Sequence, residues 1–259
     1  MEKMTNKHQA KKTLGQNFLK DNRSAQLMVR SLNMKIPDTI VEIGGGTGVL
    51  TRLIVEKKND YANLMVYEID RDLKPGLDKI LNQIDDQSHK HELIFENVLD
   101  ADFASIGKYK IIGSLPYYIT SPIIHRTLQQ KNRPDVCVFL VQKEVGEKLT
   151  NKAPKATYWT HITLGYDVEQ IAIVKAASFS PVPKVDSMIV RFTRNLETEE
   201  ILSKIGIFKW EKFLHHVYKN PRKMINKTFS KELLAKLEID PNLRPQNFEL
   251  NDLLKIFNS

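Results

Sequence analysis

TIVEIGGGTG, residues 39–48, is the stretch that decides the fold. Its first half is rich in β-branched residues and reads as a short strand over 39–43. Its second half carries glycines at 44, 45, 46 and 48, which read as a turn. A helix is predicted over 49–57. Gly44, Gly46 and Gly48 let the backbone come close to a ligand, and the helix start beyond them presents free N–H groups. Strand, glycine turn and helix together open a fold that binds nucleotide-like molecules.

The same alternation runs outward from this unit. Upstream, Ala25, Leu27, Met28, Val29 and Leu32 have helical spacing, with Asp21 or Asn22 as the cap. Downstream, NLMVYEID (63–70), ELIFENV (92–98), KYKIIG (108–113) and DVCVFLVQ (135–142) read as strands. Helices are expected over 73–84 and 120–131. Such alternation predicts an α/β domain with a mostly parallel, doubly wound sheet. EQIAIVKA (169–176) and DSMIVRFTR (186–194) read as two more strands, an antiparallel edge. A short helix is expected after Gln142, then a polar loop over 151–157 and a helix over 158–166. Beyond Asn195 only helical periods remain. Two domains are therefore expected, 1–194 and a small all-helical 195–259, with residues 1–12 as a basic, loose tail.

Composition narrows the function classes. The 259 residues carry a formal charge of +8, which favours a polyanionic partner such as nucleic acid. Cys137 is the lone cysteine, so neither an internal disulfide nor a cysteine-built zinc site is available. It sits in an apolar strand and is expected to pack there. The histidines show no metal spacing, and no metal is expected. No apolar run approaches the roughly 20 residues of a membrane span. The start of the chain is polar and lysine-rich, without the apolar core of a signal peptide. A cytoplasmic, monomeric protein is expected.

Two features bear on chemistry. Glu68 follows Gly44 by 24 positions at the end of a strand, where a carboxylate can accept both hydroxyls of a ribose. GSLPYYITSPIIHRTL (113–128) ends the fourth strand with a proline-stiffened turn that presents Tyr117 and Tyr118. Thr120 or Ser121 is the expected cap of the next helix, with Pro122 near its first position. The glycine run is E-x-G-x-G-x-G with Glu42 in front, not the G-x-G-x-x-G of dinucleotide sites. It resembles the first motif of S-adenosylmethionine-dependent methyltransferases, although a nicotinamide enzyme stays open on the glycines alone. The Ser-Leu-Pro-Tyr turn resembles the Asn-Leu-Pro-Tyr motif of amino-group methyltransferases.

LGQNFLKD (14–21), VEIGGGTG, YEIDRDL, SLPYYITSPI, VQKEV and SFSPVPKVDSMIVRF (178–192) occur in the order and at the spacing of one family. Over residues 11–257 the chain resembles the ribosomal RNA adenine dimethyltransferases. PKVDS and the tail PRKMINKTF fit the small-subunit branch better than the large-subunit, macrolide-resistance branch. The resemblance implies a Rossmann-like domain that binds S-adenosylmethionine and methylates adenine N6, twice on each of two adjacent adenines in a 3′ hairpin of small-subunit rRNA. It also implies site residues. Asn17 and Leu19 line the cofactor pocket, Gly44 and Gly46 lie under the cofactor, Glu68 binds ribose, and Asn97 meets the cofactor's adenine amine. Ser114, Leu115 and Tyr117 hold the target N6, with Ser114 also beside the cofactor. Phe179 stacks on the base's other face. The 195–259 domain binds RNA, with the basic tail and Arg222, Lys223 and Lys227 gripping phosphate.

Two positions depart from the family pattern. Asn97 stands where an Asp is usual, so its hydrogen bond lacks charge assistance. Ser114 stands where the motif has Asn, and it offers a shorter acceptor. A ribosome-assembly or RNA-binding protein with little catalysis is the competing function, and a large-subunit resistance methyltransferase is another.

Overall fold

The computed structural model describes residues 9–83, 90–150 and 155–259. Residues 1–8 of the basic tail expected over 1–12, residue 84 of an expected helix and 151–154 of the expected polar loop lie outside the described residues; Lys11 and Lys12 are not loose, since Lys11 binds Asp70 and Lys12 opens a 3-10 turn. In chain order the elements are β1 (Phe18–Leu19), α1 (Asn22–Ser31), β2 (Thr39–Ile43), α2 (Val49–Val55), β3 (Asn63–Tyr67), α3 (Lys74–Leu81), β4 (Lys90–Ile94) and β5 (Tyr109–Ser114). They continue with α4 (Thr120–Leu128), β6 (Val136–Gln142), α5 (Lys143–Leu149), α6 (Tyr158–Ile162), β7 (Tyr166–Val174), β8 (Phe179–Ser180) and β9 (Ser187–Arg194). The helices α7 (Leu196–Ile205), α8 (Ile207–Val217), α9 (Lys231–Lys236) and α10 (Leu250–Phe257) follow.

Seven of the described strands form one sheet in the order β4-β3-β2-β5-β6-β9-β7. The first five pair in parallel. β9 and β7 complete the other side, with β9 next to β6 and β7 at the edge. All five residues of β2 are buried, as a parallel strand covered on both faces requires. Alternation sorts the sheet's side chains. Ile40, Leu64, Val66, Ile112, Val138 and Leu140 join one core with Met28, Ile54 and Ile80 from the first three helices and Leu32 just past α1. Cys137 is buried in β6, as its strand context implied.

Local signals account for most boundaries. The Asp21 carboxylate caps α1 by accepting from the Arg23 and Ser24 N–H groups. Gly48 has φ +79° and directly precedes α2. A Cβ there would sit 2.2 Å from Ile80 Cδ1, so the glycine lets α2 approach α3. One expected cap is corrected. Neither Thr120 nor Ser121 caps α4: a 3-10 turn over Tyr117–Ile119 leads into it, the preceding residue Ile119 makes no capping bond, and Thr120 is already helical. Thr120 Oγ1 instead donates to the Pro116 carbonyl at 3.1 Å, and Pro122 lies at the third helical position.

The chain divides into two compact units. One is Met1–Lys143 with Gln170–Phe192, and the other is Glu144–Glu169 with Thr193–Ser259. The second unit thus takes in a stretch that a single division at 195 leaves with the sheet. Its reason is Trp210, which is buried in α8 and donates from Nε1 to the His161 carbonyl of α6 at 2.9 Å.

Candidate active site

Parallel register puts the strand ends of the first unit on one edge. Ile43 is level with Tyr67 and Gly113, and Ser114 with Leu140. The residues just past these ends are the ones the sequence singles out: Gly44 after β2, Glu68 after β3 and Leu115 after β5. Asn97 follows β4 by three residues and caps a 3-10 turn, its Oδ1 accepting from the Leu99 N–H at 3.1 Å. Ligands bind at this carboxyl edge in open α/β sheets.

A cavity of about 310 Å³ lies there. Asn17, Leu19, Gly44, Gly46, Glu68, Asn97, Ser114, Leu115, Tyr117 and Phe179 all line it. Gly48 does not; its role is the helix contact described above. Gly44 has φ +77°, and a Cβ built on it would meet no atom within 4 Å. Backbone is therefore bare toward the open space. Glu68 Oε2 accepts from the Gly46 N–H, and Oε1 from the Ile69 and Asp70 N–H groups, each at 2.8 Å. A carboxylate has about four acceptor sites, so capacity remains on Oε2 for a ligand hydroxyl.

The segment 14–19 forms part of the cavity wall. Residues Phe18 and Leu19 pair antiparallel with Ser180 and Phe179. This brings Asn17 and Leu19 beside Phe179 although they are far apart in sequence. Phe179 is buried, so any base contact would be through the part of the ring that faces the cavity. Asp70 anchors the segment by accepting from Lys11 Nζ at 2.6 Å and Gln16 Nε2 at 2.7 Å. Burial would raise the Asp70 carboxyl, but these bonds hold it below the ordinary carboxylate value. Sequence reasoning did not single out Asp70; the polar Gln16 within LGQNF was the available signal.

The SLPYY turn forms another wall. Ser114 is half-buried, and among the described residues nothing hydrogen-bonds its hydroxyl. Tyr117 reaches across to β9, its hydroxyl 2.8 Å from Ser187 Oγ. Burial raises the Tyr117 pKa; the Ser187 bond offsets part of this, and the Asp186 charge adds to it. Tyr118 is 58% exposed and lays its ring against Gly15.

The electrostatics of the cavity run against those of the chain. Glu42, Glu68 and Glu96 line it, and among the described residues no Lys, Arg or His does. Glu42 is wholly buried, and no hydrogen bond of ordinary geometry reaches either of its oxygens. Burial pushes its pKa up to about 8; nearby Thr51 lowers it in part and the Glu68 charge raises it further. The Glu68 and Glu96 carboxylates disfavour the pyrophosphate of a dinucleotide and suit a cationic ligand, whereas the raised pKa of Glu42 keeps it uncharged at pH 7. Among the described residues no cluster of His, Cys, Asp and Glu could hold a metal ion, and no helix is long and apolar enough to cross a membrane.

A family model described as ribosomal RNA adenine dimethylase matches residues 7–259. The chain belongs to the ribosomal RNA adenine dimethylase family. This dimethylase is 34% identical to a "Ribosomal RNA small subunit methyltransferase A" of Mesoplasma florum, over 97% of this chain and 98% of that one. It is 32% identical to a protein of the same name from a Sulfurihydrogenibium species, over 97% and 96%. Its fold matches a dimethyladenosine transferase from Plasmodium falciparum with a TM-score of 0.78 at 21% identity, covering 92% of this chain and 95% of that one. It also matches the 23S rRNA methyltransferase ErmE with a TM-score of 0.75 at 22% identity, covering 93% and 98%. The dimethylase is an enzyme that uses S-adenosylmethionine. The cavity fits that group: bare backbone at Gly44, spare acceptor capacity on Glu68, and acidic walls for a cofactor that carries positive charge.

Proposed function

We propose that this dimethylase methylates N6 of two adjacent adenines in a 3′ hairpin of small-subunit rRNA, adding two methyl groups to each, as a step of ribosome biogenesis. The observation that carries the reading is one cavity bounded by the glycine turn on one side and the Ser114–Tyr117 turn on the other. The names of the relatives support the small subunit as the source of the RNA.

S-adenosylmethionine supplies an electrophilic methyl group when bound. The chain's own residues hold and orient. Glu68 takes the ribose, the Gly44–Gly46 backbone lies along the cofactor, and Asn17, Leu19 and Asn97 line its pocket. The N6 lone pair of adenine is delocalised into its ring and is a poor nucleophile. Acceptors aimed at its two N–H groups favour a more tetrahedral nitrogen, and Ser114 Oγ and the Leu115 carbonyl have this role. Tyr117 and Phe179 hold the base flat. A loop base is open to such a reader, and unstacking it costs a few kcal/mol that aromatic contact offsets. The helical unit grips RNA, with Arg222, Lys223 and Lys227 exposed on it. A cytoplasmic monomer completes the reading.

Methyl transfer from labelled S-adenosylmethionine to unmethylated small ribosomal subunits tests it, with modified nucleosides resolved by mass. Dimethyladenosine is the expected product. Monomethyladenosine alone would place the limit at Ser114. Cofactor binding without transfer, beside an active control enzyme, would support an assembly factor instead.

A further inference from the structure

We infer that Ser187 is a positioning residue for the methylation: its buried hydroxyl sets the ring plane of Tyr117 at the target base. The inference rests on the reading that Tyr117 holds that base.

Tyr117 stands in a single 3-10 turn, a short element that restrains its ring little. A phenylalanine would stack on a base as well as a tyrosine does. In this structure the tyrosine's hydroxyl is directed to Ser187 Oγ at 2.8 Å, 70 positions away in sequence. Ser187 is 0% exposed and begins β9. Its hydroxyl therefore has no water to turn to, and the bond to Tyr117 satisfies it.

The backbone beside Ser187 is itself held. The Asp186 carbonyl accepts from the Lys143 N–H at 3.0 Å. The Asp186 carboxylate accepts from Lys175 Nζ at 2.9 Å and from the Ala176 N–H at 3.0 Å. Ala176 opens the 3-10 turn that runs into Phe179. One dipeptide, Asp186-Ser187, thus ties down both aromatic residues proposed to flank the adenine. Ser187 reaches Tyr117 directly, and Asp186 reaches the chain that delivers Phe179.

Ser187→Ala and Tyr117→Phe remove the same bond from its two ends. Full-length variants are compared in steady-state transfer to unmethylated small ribosomal subunits, with cofactor affinity measured by calorimetry. Each single variant is expected to lose roughly 3–10-fold in kcat, the size of one net hydrogen bond. The double variant is expected to lose no more than either single one, with cofactor affinity unchanged in all three. Ser187→Thr, which keeps a hydroxyl, is expected to recover part of the kcat lost in Ser187→Ala. Unchanged kcat in Ser187→Ala, or losses that multiply in the double variant, would overturn the inference. If Ser187→Ala does not fold, Tyr117→Phe decides alone: it removes only the hydroxyl, and full kcat overturns the tether. Full activity of Tyr117→Ala would instead overturn the base-holding reading itself.

Discussion

Glu42 is a buried carboxyl group, and burial is the largest cause of its charge state. Its pKa of about 8 lies above the ordinary 4.5, so the folded protein holds a proton there that the unfolded chain has released. Stability from this site is full below pH 4.5 and falls as pH rises toward 8, by about 1.4 kcal/mol per pH unit. Glu42→Gln has no such proton to lose. In urea unfolding at a series of pH values, the variant's curve should lack this decline, so its stability relative to the wild type rises steadily between about pH 4.5 and 8. A wild-type slope retained in the variant would remove Glu42 as its source. The placements of Gly44, Glu68 and Ser114 were legible in the sequence because each follows or closes a strand whose apolar run marks its end. The acidic character of the wall was not, since Glu68 and Glu96 acquire a common surface only through folding. The Tyr117–Ser187 bond was equally hidden, because no local pattern links residues so far apart.

Among the elements, the glycine turn divides its labour. Gly44 faces the cavity, whereas Gly48 faces α3. Both have positive φ, so alanine at either position is strained by about 1–3 kcal/mol. Gly48→Ala should lower stability further than Gly44→Ala, since Ile80 must move, and should leave cofactor affinity near the wild-type value. Gly44→Ala should weaken cofactor binding. Thermal unfolding paired with calorimetry separates the two, and equal affinity losses would contradict the division. Strand β6 was plain in the sequence because it is a nearly unbroken apolar run, and β2 because its β-branched residues stop at a glycine turn. The β1–β8 pair was not, since two-residue strands are too short to show a period. The cap of α4 was misread because Thr120 satisfies Pro116 rather than a free N–H of its own helix.

At the scale of the molecule, the helical unit is built from two separated pieces of chain. Residues 195–259 contain Trp210 but not His161, whose carbonyl satisfies the buried indole. The isolated 195–259 fragment should therefore lack a cooperative thermal transition by circular dichroism. Joining Glu144–Glu169 to Thr193–Ser259 through a short linker should restore one. A cooperative transition in the short fragment would mean α6 is dispensable. This interleaving escaped the sequence reading because α6 is short and its partner α8 lies far downstream. The pairing of Phe18 and Leu19 with residues 179 and 180 reaches just as far along the chain. In biosynthesis that pairing sets a clock. A nascent chain stalled before residue 180 already has its glycine turn and SLPYY turn, yet it has no strand to dock Phe18 and Leu19 against. This wall of the cavity is completed only after residue 180 has been made, so an enzyme that acts on ribosomal RNA gains its binding site late on the ribosome that makes it.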